Sequence, residues 1–337
     1  MQLKPINQQV VAIMGASSGI GRLAAFKFAQ KGAKVIVSAR SESGLKSLVE
    51  EIHLFGGQAE YIVADVSNLQ QVKAVVEKTV AQYGRLDTWV NAAATGVIAP
   101  FDQITPEEFE RVIDVTLMGQ VYGVMAALPY LKQQGGGAII CVSSVEGKRS
   151  LPLQSPYSTA KHGLEGFLEG LRVELQHEKL PISVTSILPS VINTPYYNKV
   201  RTKLGVKPTG IPPYYQPHVV ADAILYTAEH PTRDFIAGDV GRVLDVLQRV
   251  SPELVDSLLL LTAFVGQRTN DPKSEDAPDN LFEPIQGYDK IEGDFGNLVI
   301  PSFLDNLDMN PALKWGAIAA AAVGVAAFLG FLPKNDV

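Results

Sequence analysis

Tyr157-Ser158-Thr159-Ala160-Lys161 sets a phenol and an ammonium four residues apart, one turn from each other on one face of a helix. A free tyrosine, with a pKa near ~10, is a poor acid or base at neutral pH. A neighbouring ammonium favours the phenolate and brings that pKa toward the working range, which builds a general acid/base without histidine. Many amphipathic helices carry such a pair without using it, so its meaning rests on what positions it.

Upstream, the apolar run Val10–Met14 leads into Gly15-Ala16-Ser17-Ser18-Gly19-Ile20-Gly21 and then a helix to about Lys31. Strand, glycine-rich turn and helix N-terminus make a phosphate-binding arrangement, because glycines admit the ligand and the helix offers free N–H groups. The second strand, Lys34–Ser38, ends in Ala39-Arg40 with no acidic residue. An acid there would suit a ribose 2′-hydroxyl, whereas an arginine suits a 2′-phosphate, so Arg40 favours NADP over NAD; the plainer alternative is an arginine on a solvated loop. Strand Glu60–Val63 ends at Asp65-Val66, where the aspartate either meets the adenine or, like Ser67, caps the next helix.

Strand Thr88–Asn91 runs into Ala92-Ala93-Ala94, and a helical stretch from Pro106 to Gln134 is expected to break or kink near Pro129. Strand Ala138–Val142 ends at Ser143-Ser144, the Tyr157 helix runs to about Glu178, and strand Ile182–Ile187 ends at Pro189-Ser190. This alternation indicates an α/β fold, a Rossmann-type doubly wound parallel sheet with helices on both faces. All the candidate groups then fall at strand C-terminal ends, the edge where such sheets bind ligands.

The chain resembles the short-chain dehydrogenase/reductases over roughly residues 6–250. Gly15-x-x-x-Gly19-x-Gly21 corresponds to the family's cofactor loop, with Met14 for the usual threonine, and Asp65 to its adenine-binding aspartate. Asn91-Ala92-Ala93-Ala94 corresponds to Asn-Asn-Ala-Gly, and Pro189-Ser190-x-x-x-Thr194 to Pro-Gly-x-x-x-Thr. Ser144, thirteen residues before Tyr157, has the spacing of the family's catalytic serine, and Tyr157-x-x-x-Lys161 is its catalytic pair.

The resemblance implies that Tyr157 exchanges a proton with the substrate oxygen, Lys161 lowers the tyrosine pKa and holds the nicotinamide ribose, and Ser144 bonds the substrate carbonyl. It further implies a dinucleotide held by Gly15, Ser17, Ser18, Gly19, Ile20, Gly21, Arg40, Asp65, Val66, Asn91, Ala93, Tyr157, Lys161, Pro189, Ile192 and Thr194. In the family a catalytic asparagine lies in a segment like Asp-Val-Asn-Leu; here it is Asp114-Val115-Thr116-Leu117, and Thr116 is the candidate replacement. Dimers or tetramers are also expected from the resemblance.

After Thr194, the tyrosines at 196, 197, 214 and 215 among several prolines suggest an apolar substrate wall, or a lid merely packed on the core. Leu258–Val265 reads as a buried or interface helix within residues 251–265, too short for a bilayer. Residues 266–337 carry 11 acidic and 5 basic side chains against 24 of each in residues 1–265. Residues 266–311 are expected to be an acidic linker with apolar anchors at Leu281-Phe282 and Leu298-Val299-Ile300. In the segment 312–332, Trp315–Leu332 is 18 residues without a charge, about 27 Å of helix at ~1.5 Å per residue. That length meets a membrane span, with a soluble packed helix as the alternative, and residues 333–337 form a tail.

The net charge of −6 argues against a nucleic-acid partner, and one cysteine, Cys141, excludes an intrachain disulfide. The five histidines show no metal-ligand spacing, and no signal peptide is read at the N-terminus. Together these predict an NADP(H)-dependent enzyme acting on a small carbonyl or alcohol. Its catalytic domain would lie in the cytoplasm, anchored to a membrane by its C-terminal helix. The rival readings are a nucleotide-binding regulatory or scaffold protein without turnover, and a soluble enzyme whose last helix packs on a partner subunit.

Overall fold

A computed structural model describes residues 1–310 and Leu313. The first half alternates β1 (Val10–Met14), α1 (Gly19–Gln30), β2 (Lys34–Ala39), α2 (Glu42–Leu54), β3 (Gln58–Val63), α3 (Leu69–Tyr83) and β4 (Thr88–Asn91). A short β5 (Val97–Ile98) precedes α4 (Pro106–Ile113), which continues through a π-helical turn, Asp114–Met118, into α5 (Gly119–Gln133). Then come β6 (Gly137–Val142), α6 (Ser155–His177) and β7 (Ile182–Pro189).

The second half holds α7 (Tyr196–Lys199), β8 (Arg201–Thr202), β9 (Val206–Pro208), α8 (His218–Glu229) and β10 (Asp234–Ala237). It ends in α9 (Asp239–Val250), α10 (Pro252–Gly266), β11 (Arg268–Pro272) and α11 (Leu304–Asp308).

Seven strands form one parallel sheet in the order β10-β7-β6-β4-β1-β2-β3. The winding reverses between β1 and β4, and a crevice opens at that switch point beyond the strands' C-terminal ends. Val10–Met14 and Ile182–Pro189 are buried throughout, which is why they read as continuous apolar or small-residue runs. Phe28 of α1, Leu45 and Ile52 of α2, and Ile224 of α8 fill one face. Val72 of α3, Val124 of α5 and Leu168 of α6 pack with Trp89 on the other. Cys141 lies fully buried on the interior strand β6, and the Asn91 amide donates to its sulfur.

Local chemistry sets the helix ends. Thr105 and Glu108 form a reciprocal capping box at α4, with Pro106 in the first turn. At α3 the cap is Asn68, whose Oδ1 accepts from the N–H groups of Gln70 and Gln71, so neither Asp65 nor Ser67 fills that role. The expected break at Pro129 is also corrected: α5 runs through Pro129, and the irregularity lies at Asp114–Met118. The continuous helix Pro106–Gln133 is long and apolar enough to cross a membrane, yet half of its apolar window is buried. It packs against α3 and α6 and is a core helix.

The stretch expected as a linker follows a defined course across the sheet's C-terminal edge. β11 pairs antiparallel with β9, Leu281 and Phe295 are buried, and Val299 bridges to Tyr214. α11 is tied to α9 by Arg242 on Asp305 (2.7 Å), and the Gly238 N–H donates to Asp305 at 2.9 Å. On α10, Val255 and Ala263 are buried, while Leu260, Leu261 and Val265 are exposed. The proposed span 315–332 lies outside the described residues.

Candidate active site

The switch-point crevice is a cavity of about 260 Å³. Its floor is the turn from β1 to α1. Gly15 has φ +82°, and a Cβ there would meet the Ala93 backbone nitrogen at 2.5 Å, so only glycine fits. Ser18 is the N-cap of α1, but its side chain caps nothing. No side chain caps α1, and its first N–H, that of Gly19, is met by the Lys290 carbonyl at 2.9 Å; the positive end of the helix dipole still faces the cavity.

Gly15, Ser17, Ser18, Gly19, Ile20 and Gly21 line this end, with Arg40, Asp65, Val66 and Ala93 beside them. Ser144, Tyr157, Lys161, Pro189, Ile192 and Thr194 line the other. The lining suits an elongated ligand with an anionic part at the glycine end.

Asp65 accepts from Arg111 at 2.7 Å and from the Ser67 N–H and hydroxyl, which keep its carboxyl ionised below the usual carboxylate value despite partial burial. Arg40 reaches the cavity, but its two terminal nitrogens donate to the carbonyls of Asn280 and Phe282, both at 2.6 Å.

At the chemical end, Tyr157 and Ser144 line the cavity together, and the Ser144 hydroxyl accepts from the Glu146 N–H at 3.0 Å. Lys161 is buried, donates to the Val142 carbonyl at 2.8 Å and sits 5.4 Å from the Tyr157 ring centre. Burial lowers its pKa to about 8, countered mainly by Cys141, Glu165 and Glu146. The expectation that Lys161 draws the phenol's pKa down is not met: burial pushes it well up, Glu146 adds to that, and only Ser144 pulls it back. The phenol is therefore held protonated.

Two candidates point elsewhere. Asn91 is buried beneath the cavity, where it accepts from the Trp89 indole and donates to the Gln120 carbonyl. Thr116, in the π-helical turn, donates to the Thr95 carbonyl at 2.9 Å and accepts from the Thr95 N–H at 3.0 Å. Its hydroxyl pins the loop after β4 and is spent there.

A family model described as short chain dehydrogenase matches residues 9–205. The chain is a short-chain dehydrogenase. It is 38% identical over 282 residues to an uncharacterized oxidoreductase, YxnA, of Bacillus subtilis, covering 82% of this chain and 79% of that one. It is 35% identical over 237 residues to the 3-oxoacyl-[acyl-carrier-protein] reductase FabG of Thermotoga maritima (69% and 94%). With the 11-beta-hydroxysteroid dehydrogenase-like 3 of Arabidopsis thaliana it shares 28% over 265 residues (76% and 82%). As a family member it is an oxidoreductase of the NAD(P)-binding kind that acts on CH–OH or C=O groups.

Several residues of this short-chain dehydrogenase's cleft are not signalled by motif or spacing. Glu146, 6% exposed, accepts from Ser158 at 2.7 Å, and burial raises its carboxyl to about 7 against the pull of Ser158 and Lys161. Lys199 donates to the Ser18 hydroxyl at 2.7 Å, and burial lowers its pKa to about 8. Gln120 shares the Val142 carbonyl with Lys161, and its own oxygen is buried without a bond among the described residues. Of the four lid tyrosines, Tyr196 and Tyr197 line the cavity, while Tyr214 and Tyr215 are fully buried and fasten the lid to the core. An acidic residue before a loop, or a lysine after two tyrosines, carries no signal until the fold closes over it.

Proposed function

We propose that the chain is an NADP(H)-dependent oxidoreductase that interconverts a carbonyl and an alcohol on a hydrophobic small molecule, with Tyr157 as the general acid/base. The observation that carries this is that Ser144, Tyr157 and the buried Lys161 line the same cavity as the glycine-rich start of α1. The bound nicotinamide supplies or takes up the hydride. Tyr157 delivers the proton to the substrate oxygen, and Ser144 aligns that oxygen and stabilises charge developing on it.

Lys161, 5.4 Å from the Tyr157 ring centre, would hold the nicotinamide ribose. Arg40 at the end of β2 and Lys199 beside Ser18 supply two positive charges at the adenosine end, which supports NADP over NAD. Leu151, Val191, Tyr196 and Tyr197 line the cavity as its apolar wall. Two relatives are named for a hydroxysteroid and a 3-oxoacyl group, in keeping with an apolar substrate. From sequence alone, residues 315–332 tether the enzyme to a membrane with the catalytic domain in the cytoplasm, and the assembly is a homodimer or tetramer.

Purified protein mixed with NADPH and a panel of apolar aldehydes and ketones tests cofactor, reaction and substrate class together. Expected is NADPH oxidation with at least one of them, and a loss of ~10²–10⁴-fold in Tyr157→Phe with NADPH binding retained. Binding of NADPH without turnover by either protein would replace this reading with that of a nucleotide-binding regulatory protein.

A further inference from the structure

Residues 279–295 run as a strap over the adenosine end of the cleft. It enters at Asp279, paired with Arg201 at 2.7 Å, and leaves at Phe295, whose N–H donates to Asn193 at 3.0 Å. Between these ties it meets groups suited to phosphate. The Lys290 carbonyl accepts from the Gly19 N–H at 2.9 Å, at the start of α1, where no side chain caps the helix. The Asp289 carboxylate accepts from the Ser41 hydroxyl at 3.3 Å and the Ser43 hydroxyl at 3.2 Å, directly after Arg40. Asp289 also lines the cavity and acts electrostatically on Lys199, as Arg40 does.

Two hydroxyl donors next to two cations form a set suited to an anion with several acceptor oxygens. In this fold the donors already serve an anion, and it belongs to the chain itself. A 2′-phosphate and a carboxylate cannot share these donors without like-charge repulsion, whereas a ribose 2′-hydroxyl can donate to the carboxylate.

We propose that Asp289 is an internal counter-anion of the 2′ subsite, displaced by the phosphate of NADP(H) and tolerated by NAD(H), so that the strap narrows the preference for NADP(H) that Arg40 and Lys199 create. The inference rests on the dinucleotide reading of the cleft. It differs from the usual source of selectivity at the end of β2, because the deciding carboxylate arrives from about 250 residues further along the chain.

Titration calorimetry of the full chain with NADP⁺ and NAD⁺, without substrate, tests it. Asp289→Asn keeps the size of the side chain and removes its charge. It is expected to tighten NADP⁺ binding about tenfold and to leave NAD⁺ unchanged or weaker. In the wild type, NADP⁺ but not NAD⁺ is expected to raise deuterium exchange across 285–293. If Asp289→Asn shifts both dinucleotides equally, shifts neither, or weakens NADP⁺, the inference is overturned while the cleft assignment stands. Failure of the wild type to bind either dinucleotide overturns both.

Discussion

Glu146 and Lys161 are buried together beneath a phenol, and their pKa values move toward each other, the acid up to about 7 and the base down to about 8. Glu146 has an ordinary value of 4.5, so the folded chain holds a proton that the unfolded chain releases near that pH. The stability this gives is present below pH 4.5 and is lost as pH rises through about 7. Glu146→Gln should remove that slope. Urea unfolding at pH 5 and pH 7.5 should show the wild type losing up to about 3 kcal/mol more than the variant, and equal losses would contradict the burial argument.

Ser144, Tyr157 and Lys161 were legible because their spacing survives in the sequence. The direction of the tyrosine's shift was not, because burial and the approach of Glu146 are properties of the closed cleft. Thr116 illustrates the same limit: its hydroxyl was visible, but its engagement by Thr95, 21 residues upstream, was not.

At the level of elements, strands and helices declared themselves by apolar runs and caps, and the positive-φ turn at Gly15 by its glycine. The strap's signal was faint: Leu281 stood out as an apolar anchor, but the segment's course across the cleft did not. It has no periodicity, and carbonyl groups, two buried apolar side chains and isolated carboxylates hold it. α9 was missed too: Asp239–Val250 keeps only Gly241 buried, so little of its pattern is imposed by a core.

Leu281 is fully buried against Val97, Ala99 and Val112, and it is the main apolar tie of the strap's first half. Leu281→Ala is expected to cost about 2–5 kcal/mol of local docking. Deuterium exchange should then rise across 279–295 and stay unchanged in β1, β4 and β6. Exchange that rises throughout the sheet would show instead that the strap and the core unfold as one unit.

For the whole molecule, two long apolar segments call for different treatment. The helix Pro106–Gln133 is accounted for by its packing in the core. Trp315–Leu332 has only its composition to speak for it. The described residues also expose Val243, Val246 and Val250 on α9 and Leu261 and Val265 on α10. A chain ending at Asn310 keeps the strap and α11, so it separates the two influences. Cell fractionation should find the full chain with membranes and the shortened chain in the supernatant; identical distributions would rule out a tether in the final segment.

Cys141 gives the molecule a different kind of use. It is the chain's sole thiol, lies at 0% exposure in the interior strand β6, and burial raises its pKa to about 11. Neither local fraying nor release of the strap uncovers it, because both faces of β6 are covered by the two layers of helices. A thiol reagent can therefore label the chain only when the sheet itself opens. Each molecule labels once, so the labelling rate in native buffer times the opening of the core, and bound dinucleotide should slow that clock.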